Sequence, residues 1–259
     1  MMRTLLVRGM LAGLIAGVLA TGFAYLFGEP SVNTAIGLEE SGGGHSHSAP
    51  AEPGAPPEAH EHGAAAEPEE ELVSRDVQST LGLFTGVAGY GIAIGGLFSL
   101  AFAFAHGRLG PTRPRVTAAV LAAAGYAVVV LVPFLKYPAN PPAVGQAGTI
   151  GDRTGLYFAF VAISLVVAGV AVAAGRKLAE RLGAWGGFLL GAAGYVVVMA
   201  LCAWLLPVID EVPEGFPGST LWTFRTASIG TQLILWTALG LVFGALAEKV
   251  APKRAVAVV

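Results

Sequence analysis

The sequence predicts an all-α integral membrane protein: a six-helix transmembrane bundle with a parallel two-helix internal repeat and a disordered, His/Glu-rich outer loop. Three observations carry this prediction. Hydrophobic residues make up 54% of the chain and charged residues only 12%, with a mean hydropathy of +0.68; a soluble domain carries roughly 25% charged residues. Six apolar runs reach the ~20 residues needed to cross a hydrocarbon core of ~30 Å. The basic residues gather between those runs on one side only.

The spans fall near 5–27, 81–105, 116–135, 156–175, 184–206 and 227–246. All mix Gly and Ala with Val and Leu, and small residues let helix backbones approach closely in lipid. Gly9, Gly13 and Gly17 form a four-residue ladder on the first span, and Gly82, Gly86, Gly89, Gly91, Gly95 and Gly96 line the second. The first span resembles a signal sequence in having Arg3 and Arg8 before an apolar run. It is longer than a usual signal core, and its end at Tyr25–Phe27 is bulky, so it is expected to be retained. Cys202 lies deep in an apolar run and reads as a small core residue.

Orientation follows from charge. With the N-terminus cytoplasmic, inner segments hold Arg3, Arg8, Arg108, Arg113, Arg115, Arg176, Lys177, Arg181, Lys249, Lys253 and Arg254. That is eleven of the fifteen basic residues. Arg75, Lys136, Arg153 and Arg225 lie outside, and among the acids only Glu180 and Glu248 lie inside. Every inner loop obeys the positive-inside rule, so both termini are expected in the cytoplasm of a multi-pass inner-membrane protein. No basic cluster is dense enough for nucleic acid.

A repeat occupies the middle of the chain. The Ala-Ala-Gly-Tyr core at Ala123–Tyr126 recurs at Ala192–Tyr195, and Pro138 recurs as Pro207 at the same offset of 69. The copies, about 81–142 and 154–217, each contain two spans and so share one orientation, related by an axis along the membrane normal. Such repeats often flank a pathway; the alternative is a duplicated hairpin without one. The proline-rich ends at Lys136–Pro142 and Asp210–Pro217 are stiff, because proline lacks an N–H and disfavours helix before it. They read either as a cap over an outer mouth or as plain helix terminators.

The outer loop at 38–76 holds four of the five histidines, paired as His45/His47 and His60/His62, with Glu58 and Glu61 beside the second pair. In an extended chain, side chains two apart share a side, so each pair can reach one ion. Unprotonated imidazole suits borderline divalent metals. The flanking Gly, Pro, Ala and Ser build no core, so the loop is expected to be disordered without metal, suited to capture and hand-over. The alternative is a solvated acidic linker. His106, at the inner end of the second span, reads as an interfacial or C-cap residue or as part of an exit site. Ser228, Thr231 and Gln232 on the last span, with Arg225 above them, read as a lined entrance or as interhelical hydrogen bonding. Arg225 is expected to clamp a carboxylate of Asp210, Glu211 or Glu214, because its fork fits carboxylates bidentately.

Three segments carry a family resemblance: Gly28–Ile36, Leu131–Gly145 and Trp222–Gln232. They resemble recurrent elements of the CbtA family of predicted cobalt transporter subunits, over nearly the whole chain. The resemblance implies a membrane component of cobalt uptake associated with cobalamin synthesis, with cobalt(II) or a similar divalent metal as substrate and no permanent cofactor. It also implies a small single-span partner, CbtB-like. The family is often described with five spans, one fewer than the six counted here. The competing reading is a non-transporting membrane metal sensor or assembly factor. The sequence contains no G-x-x-x-x-G-K-[ST] loop and no H-E-x-x-H pattern, so no enzymatic activity is expected.

Overall fold

The computed structural model describes residues 2–43, 73–108 and 112–249. His45, His47, Glu58, His60, Glu61 and His62 lie outside the described residues. Among the described residues every element is helical. Helix α1 (Met2–Phe23) continues through a π-helical turn (Ala24–Gly28) into α2 (Glu29–Gly43). A short α3 (Arg75–Val77) and a second π-turn lead into α4 (Leu83–Ala105). Helix α5 (Pro114–Gly125) passes through a third π-segment (Tyr126–Leu131) into α6 (Val132–Lys136). Two long helices follow, α7 (Ile150–Leu205) and α8 (Gly218–Glu248). Helix α2 therefore extends past residue 38, where the sequence places the start of the loop.

Among the described residues five helices are long and apolar enough to cross a membrane: Met2–Ser41, Arg75–Ala105, Pro114–Lys136, Ile150–Leu205 and Gly218–Glu248. The sequence predicts six. The difference lies in α7, which takes in both expected spans at 156–175 and 184–206. The basic stretch expected as a loop between them is helical, and only Gly183 departs, at φ 77° and ψ 163°. A positive φ of this kind is open to glycine and strained for other residues. On either side of it the two arms face each other in opposite directions. The Cβ positions of Gly187 and Gly191 fall 2.4 Å from the Gly175 carbonyl oxygen and 2.9 Å from the Ala171 carbonyl oxygen. Phe160, Met199 and Cys202 pack between the arms, so Cys202 serves as the core residue expected of it.

Small residues hold the other helices together. On α1, Cβ atoms built at Gly9 and Gly13 would fall 2.3 and 2.0 Å from the carbonyl oxygens of Gly95 and Gly91 on α4. The ladder on the first span thus has a backbone partner, antiparallel to it. Of the second-span glycines, Gly86 and Gly89 face open space and take no part. Helix α8 runs antiparallel to α1: Phe23 packs on Gly230, and the Arg8 guanidinium donates to the Leu246 carbonyl. It is also antiparallel to α5, where Gly125 accommodates the Trp236 ring and Gly240 faces Ala122. Ala16, Phe98, Leu239 and Phe243 form the core among these four helices.

The outward surface is apolar: Leu97 is 63% exposed, Val166 67% and Trp204 80%. Such a surface is stable only against lipid. Lipid also demands that each freed backbone group find a partner within the protein. Pro133 has no N–H to offer the preceding turn, and the Val128 carbonyl accepts instead from Ser164 Oγ at 2.6 Å. Tyr195, on the other arm of α7, meets the same hydroxyl at 2.7 Å. One fully buried serine thereby joins the third π-segment to both arms of α7.

Candidate functional site

At the end of the bundle that carries the two proline-rich loops, an open cleft of about 1120 Å³ lies between α4, α6, α7 and α8. It separates the α1–α4–α5–α8 core from the α7 core. Four residues singled out from the sequence line it together: Arg225, Ser228, Thr231 and Gln232. The helical spacing of α8 explains this, because positions three and four apart share a face.

The hydroxyls of Ser228 and Thr231 donate to their own helix, to the carbonyls of Phe224 at 2.8 Å and Ala227 at 2.9 Å. Their hydrogens are thereby committed, and the oxygens present lone pairs to the cleft. Gln232 Oε1 is buried without a hydrogen-bond partner. Tyr90 of α4 lies close to both Gln232 and Tyr157 of α7. The deep part of the cleft is therefore a set of neutral oxygens on apolar walls.

Two guanidiniums, Arg153 and Arg225, line the mouth. Arg225 Nη2 donates to Asn140 Oδ1 at 2.8 Å and its Nε donates to the Ala139 carbonyl at 3.3 Å. This corrects the expected carboxylate clamp: Arg225 holds the first proline-rich loop through neutral acceptors, and Asp210 acts on it only through space. Glu211 is engaged elsewhere. Its carboxylate accepts from the Gln146 backbone N–H at 2.9 Å and lies 3.5 Å from Arg153 Nε. The Gln146 bond is the main reason its carboxyl sits below the usual carboxylate range, with Thr149 and Arg153 adding to the effect. Arg153 reaches this position past Gly145, where a Cβ would fall 2.0 Å from the guanidinium.

Two further bonds bind the loops to each other. Lys136 Nζ donates to the Leu206 carbonyl at 3.0 Å, and the Tyr137 hydroxyl donates to the Pro207 carbonyl at 2.9 Å. These bonds tie the first proline-rich segment to the chain just beyond the end of α7. Sequence reasoning missed Arg153, Asn140, Tyr90 and Tyr157. Arg153 was visible as a lone basic residue among the outer segments, but its partners lie in two different loops.

His106 lies apart. It is twelve residues beyond Ile94, the deepest α4 residue on the cleft, or about 18 Å along the helix. Its N–H closes α4 on the Phe102 carbonyl at 2.8 Å, its ring stacks on Phe102, and Nδ1 faces Thr117 Oγ1 at 3.3 Å. These are the contacts of a helix C-cap. Among the described residues no group of three or more His, Cys, Asp or Glu side chains is placed to hold a metal ion.

Lipid-compatible helices of this kind define a multi-pass membrane protein. The chain belongs to the CbtA family: the family model, described as a probable cobalt transporter subunit, matches residues 2–248. No curated protein and no solved structure matches it. Membership points to a cobalt transporter subunit, and a subunit implies at least one partner in the assembly.

Proposed function

We propose that this chain is the membrane subunit of a divalent transition-metal uptake system, with cobalt as the metal, and that the cleft is the outward entrance of its pathway. The observation that carries this reading is the convergence of Arg225, Ser228, Thr231 and Gln232 on one cleft between helices. The cleft also draws lining from both repeat copies, Tyr90 and Phe134 from the first and Tyr157 and Ile209 from the second. This favours a pathway between duplicated halves over a duplication without one.

In this reading the chain crosses the inner membrane six times with both termini inside. Two features support it. At ~1.5 Å per residue, the 56 residues of α7 are far longer than one ~30 Å crossing, and its arms fold back at Gly183. Helix α8 also runs antiparallel to α1, as an even number of crossings requires. The proline-rich segments and the histidine loop then share the outer face. An Ala55→Cys variant in intact cells is expected to react with a membrane-impermeant thiol reagent; labelling only after permeabilisation would reverse the topology.

The loop raises the local metal concentration through His45, His47, His60 and His62, with Glu58 and Glu61 as added oxygen ligands, and passes metal to the cleft. A tethered site works by effective concentration. Replacing the four histidines by Ala is therefore expected to weaken uptake at low metal and spare it at high metal. Equal loss at every concentration would place the histidines in the pathway itself. A small single-span, CbtB-like subunit is the partner this reading assigns. Radioactive cobalt uptake by cells carrying this chain, with and without that subunit, separates transport from a sensing or assembly role.

A further inference from the structure

The cleft's lining is unsuited to a bare metal ion. A borderline divalent cation is held by imidazole, thiolate or carboxylate, and the described lining contains no His, Cys, Asp or Glu. Its only charged members are Arg153 and Arg225, both cationic. Asp210 and Glu211 lie beside these guanidiniums but outside the lining, and Glu211 is already engaged by Gln146 and Arg153. Arg225 is hydrogen-bonded only to neutral acceptors, with Asp210 acting on it through space.

Size gives the same answer. Six waters around an ion occupy about 180 Å³ at ~30 Å³ each. The cleft holds about 1120 Å³, the scale of pockets that enclose organic ligands. Its walls are mostly apolar and aromatic, with Tyr90, Phe134, Tyr157 and Phe158 among them.

We infer that the cleft takes its metal as a complex with a small organic polycarboxylate rather than as the hydrated ion. The two ends of the cleft match the two chemistries of such a complex. Guanidinium groups at the mouth suit free carboxylate oxygens. Water molecules still bound to the metal are strong donors, and Gln232 Oε1, Ser228 Oγ and Thr231 Oγ1 offer acceptor lone pairs. A carboxylate chelate also lowers the net charge brought into a low-dielectric site, where an uncompensated dication is costly. This inference rests on the metal-uptake reading above and specifies the form of its substrate. A chelate with open coordination positions remains able to bind the loop imidazoles.

The test uses the full chain with His45, His47, His60 and His62 replaced by Ala, reconstituted in phosphatidylcholine nanodiscs. Equilibrium binding is measured with radioactive cobalt(II) chloride in a non-coordinating buffer, with cobalt(II) citrate, and with labelled citrate alone. Cobalt citrate is expected to bind at least about tenfold more tightly than cobalt chloride, the scale of one charge-assisted hydrogen bond. Arg225→Gln and, separately, Gln232→Leu are expected to remove that advantage. Equal or tighter binding of cobalt chloride overturns the inference. So does retention of the citrate advantage in both folded variants. Displacement of cobalt citrate by phosphatidylglycerol added to the nanodiscs also overturns it, assigning the cleft to a lipid headgroup. Uptake into vesicles separates the two levels. Cobalt entering equally well with and without citrate defeats this inference alone. Tight cobalt citrate binding without entry of cobalt in either form defeats the transport reading alone.

Discussion

A Gly13→Ala variant is expected to lose most of its folded protein, whereas Gly22→Ala on the same helix is expected to fold as well as the parent. The two substitutions add the same methyl group. At Gly13 it would fall 2.0 Å from the Gly91 carbonyl oxygen and 3.1 Å from the Gly95 Cα, both backbone atoms of α4; at Gly22 nothing lies within 4 Å. Backbone cannot swing aside as a side chain can, so α1 and α4 must separate along their whole ladder. The penalty should exceed the ~1–3 kcal/mol of ordinary overpacking. At Gly22 the methyl should help by about 0.4–1 kcal/mol, because it restricts the unfolded chain. Size-exclusion profiles and thermal unfolding in detergent read the difference. A Gly13→Ala protein as monodisperse and heat-stable as the parent would contradict the close α1–α4 contact.

Arg225→Ala is expected to abolish most metal uptake while leaving expression and loop metal binding intact. Arg225 stands at the mouth of the cleft and ties it to Asn140 and the Ala139 carbonyl through two different nitrogens. A lysine offers one compact ammonium and cannot reproduce a fork of donors. Arg225→Lys is therefore expected to resemble Arg225→Ala, and Asn140→Ala to show part of the loss. If Arg225 merely anchored the helix at lipid headgroups, Lys would serve equally well. Parental uptake by the Lys variant would remove Arg225 from the mechanism.

The helices were legible because the hydrocarbon core imposes one length and one polarity on each of them. The expected span at 81–105 and the observed α4 at Leu83–Ala105 differ only at one end. The expected 227–246 fell short of α8, which starts at Gly218, because Arg225 and the polar turns before it lower the local hydropathy. Single-sequence patterns carry no information on partners. The glycine period on α1 was plain, yet nothing marked Gly91 and Gly95, rather than Gly86 and Gly89, as the residues it meets. A turn between 175 and 184 was expected, but not that the chain stays helical up to Gly183: the charged residues before it are good helix formers and only one glycine breaks the helix. The site was half legible. A three- and four-residue spacing gathered Ser228, Thr231 and Gln232 on one face, so their joint appearance in the cleft follows from α8 alone. Arg153, in the first turn of α7, and Glu211, in the loop after that helix, lie 58 positions apart in the chain, and charge alone suggested Arg225 as the partner of that carboxylate. The guanidinium instead satisfied carbonyl and amide oxygens, which a count of charges overlooks.

The most direct test is accumulation of radioactive cobalt by sealed vesicles that carry this chain together with the proposed small partner subunit, loop side out, with cobalt supplied as chloride and as citrate. Cobalt inside these vesicles is expected well above that in vesicles lacking the chain, with a return to that background with Arg225→Ala. Background cobalt in both forms, with the protein folded and correctly oriented, would contradict the transport reading.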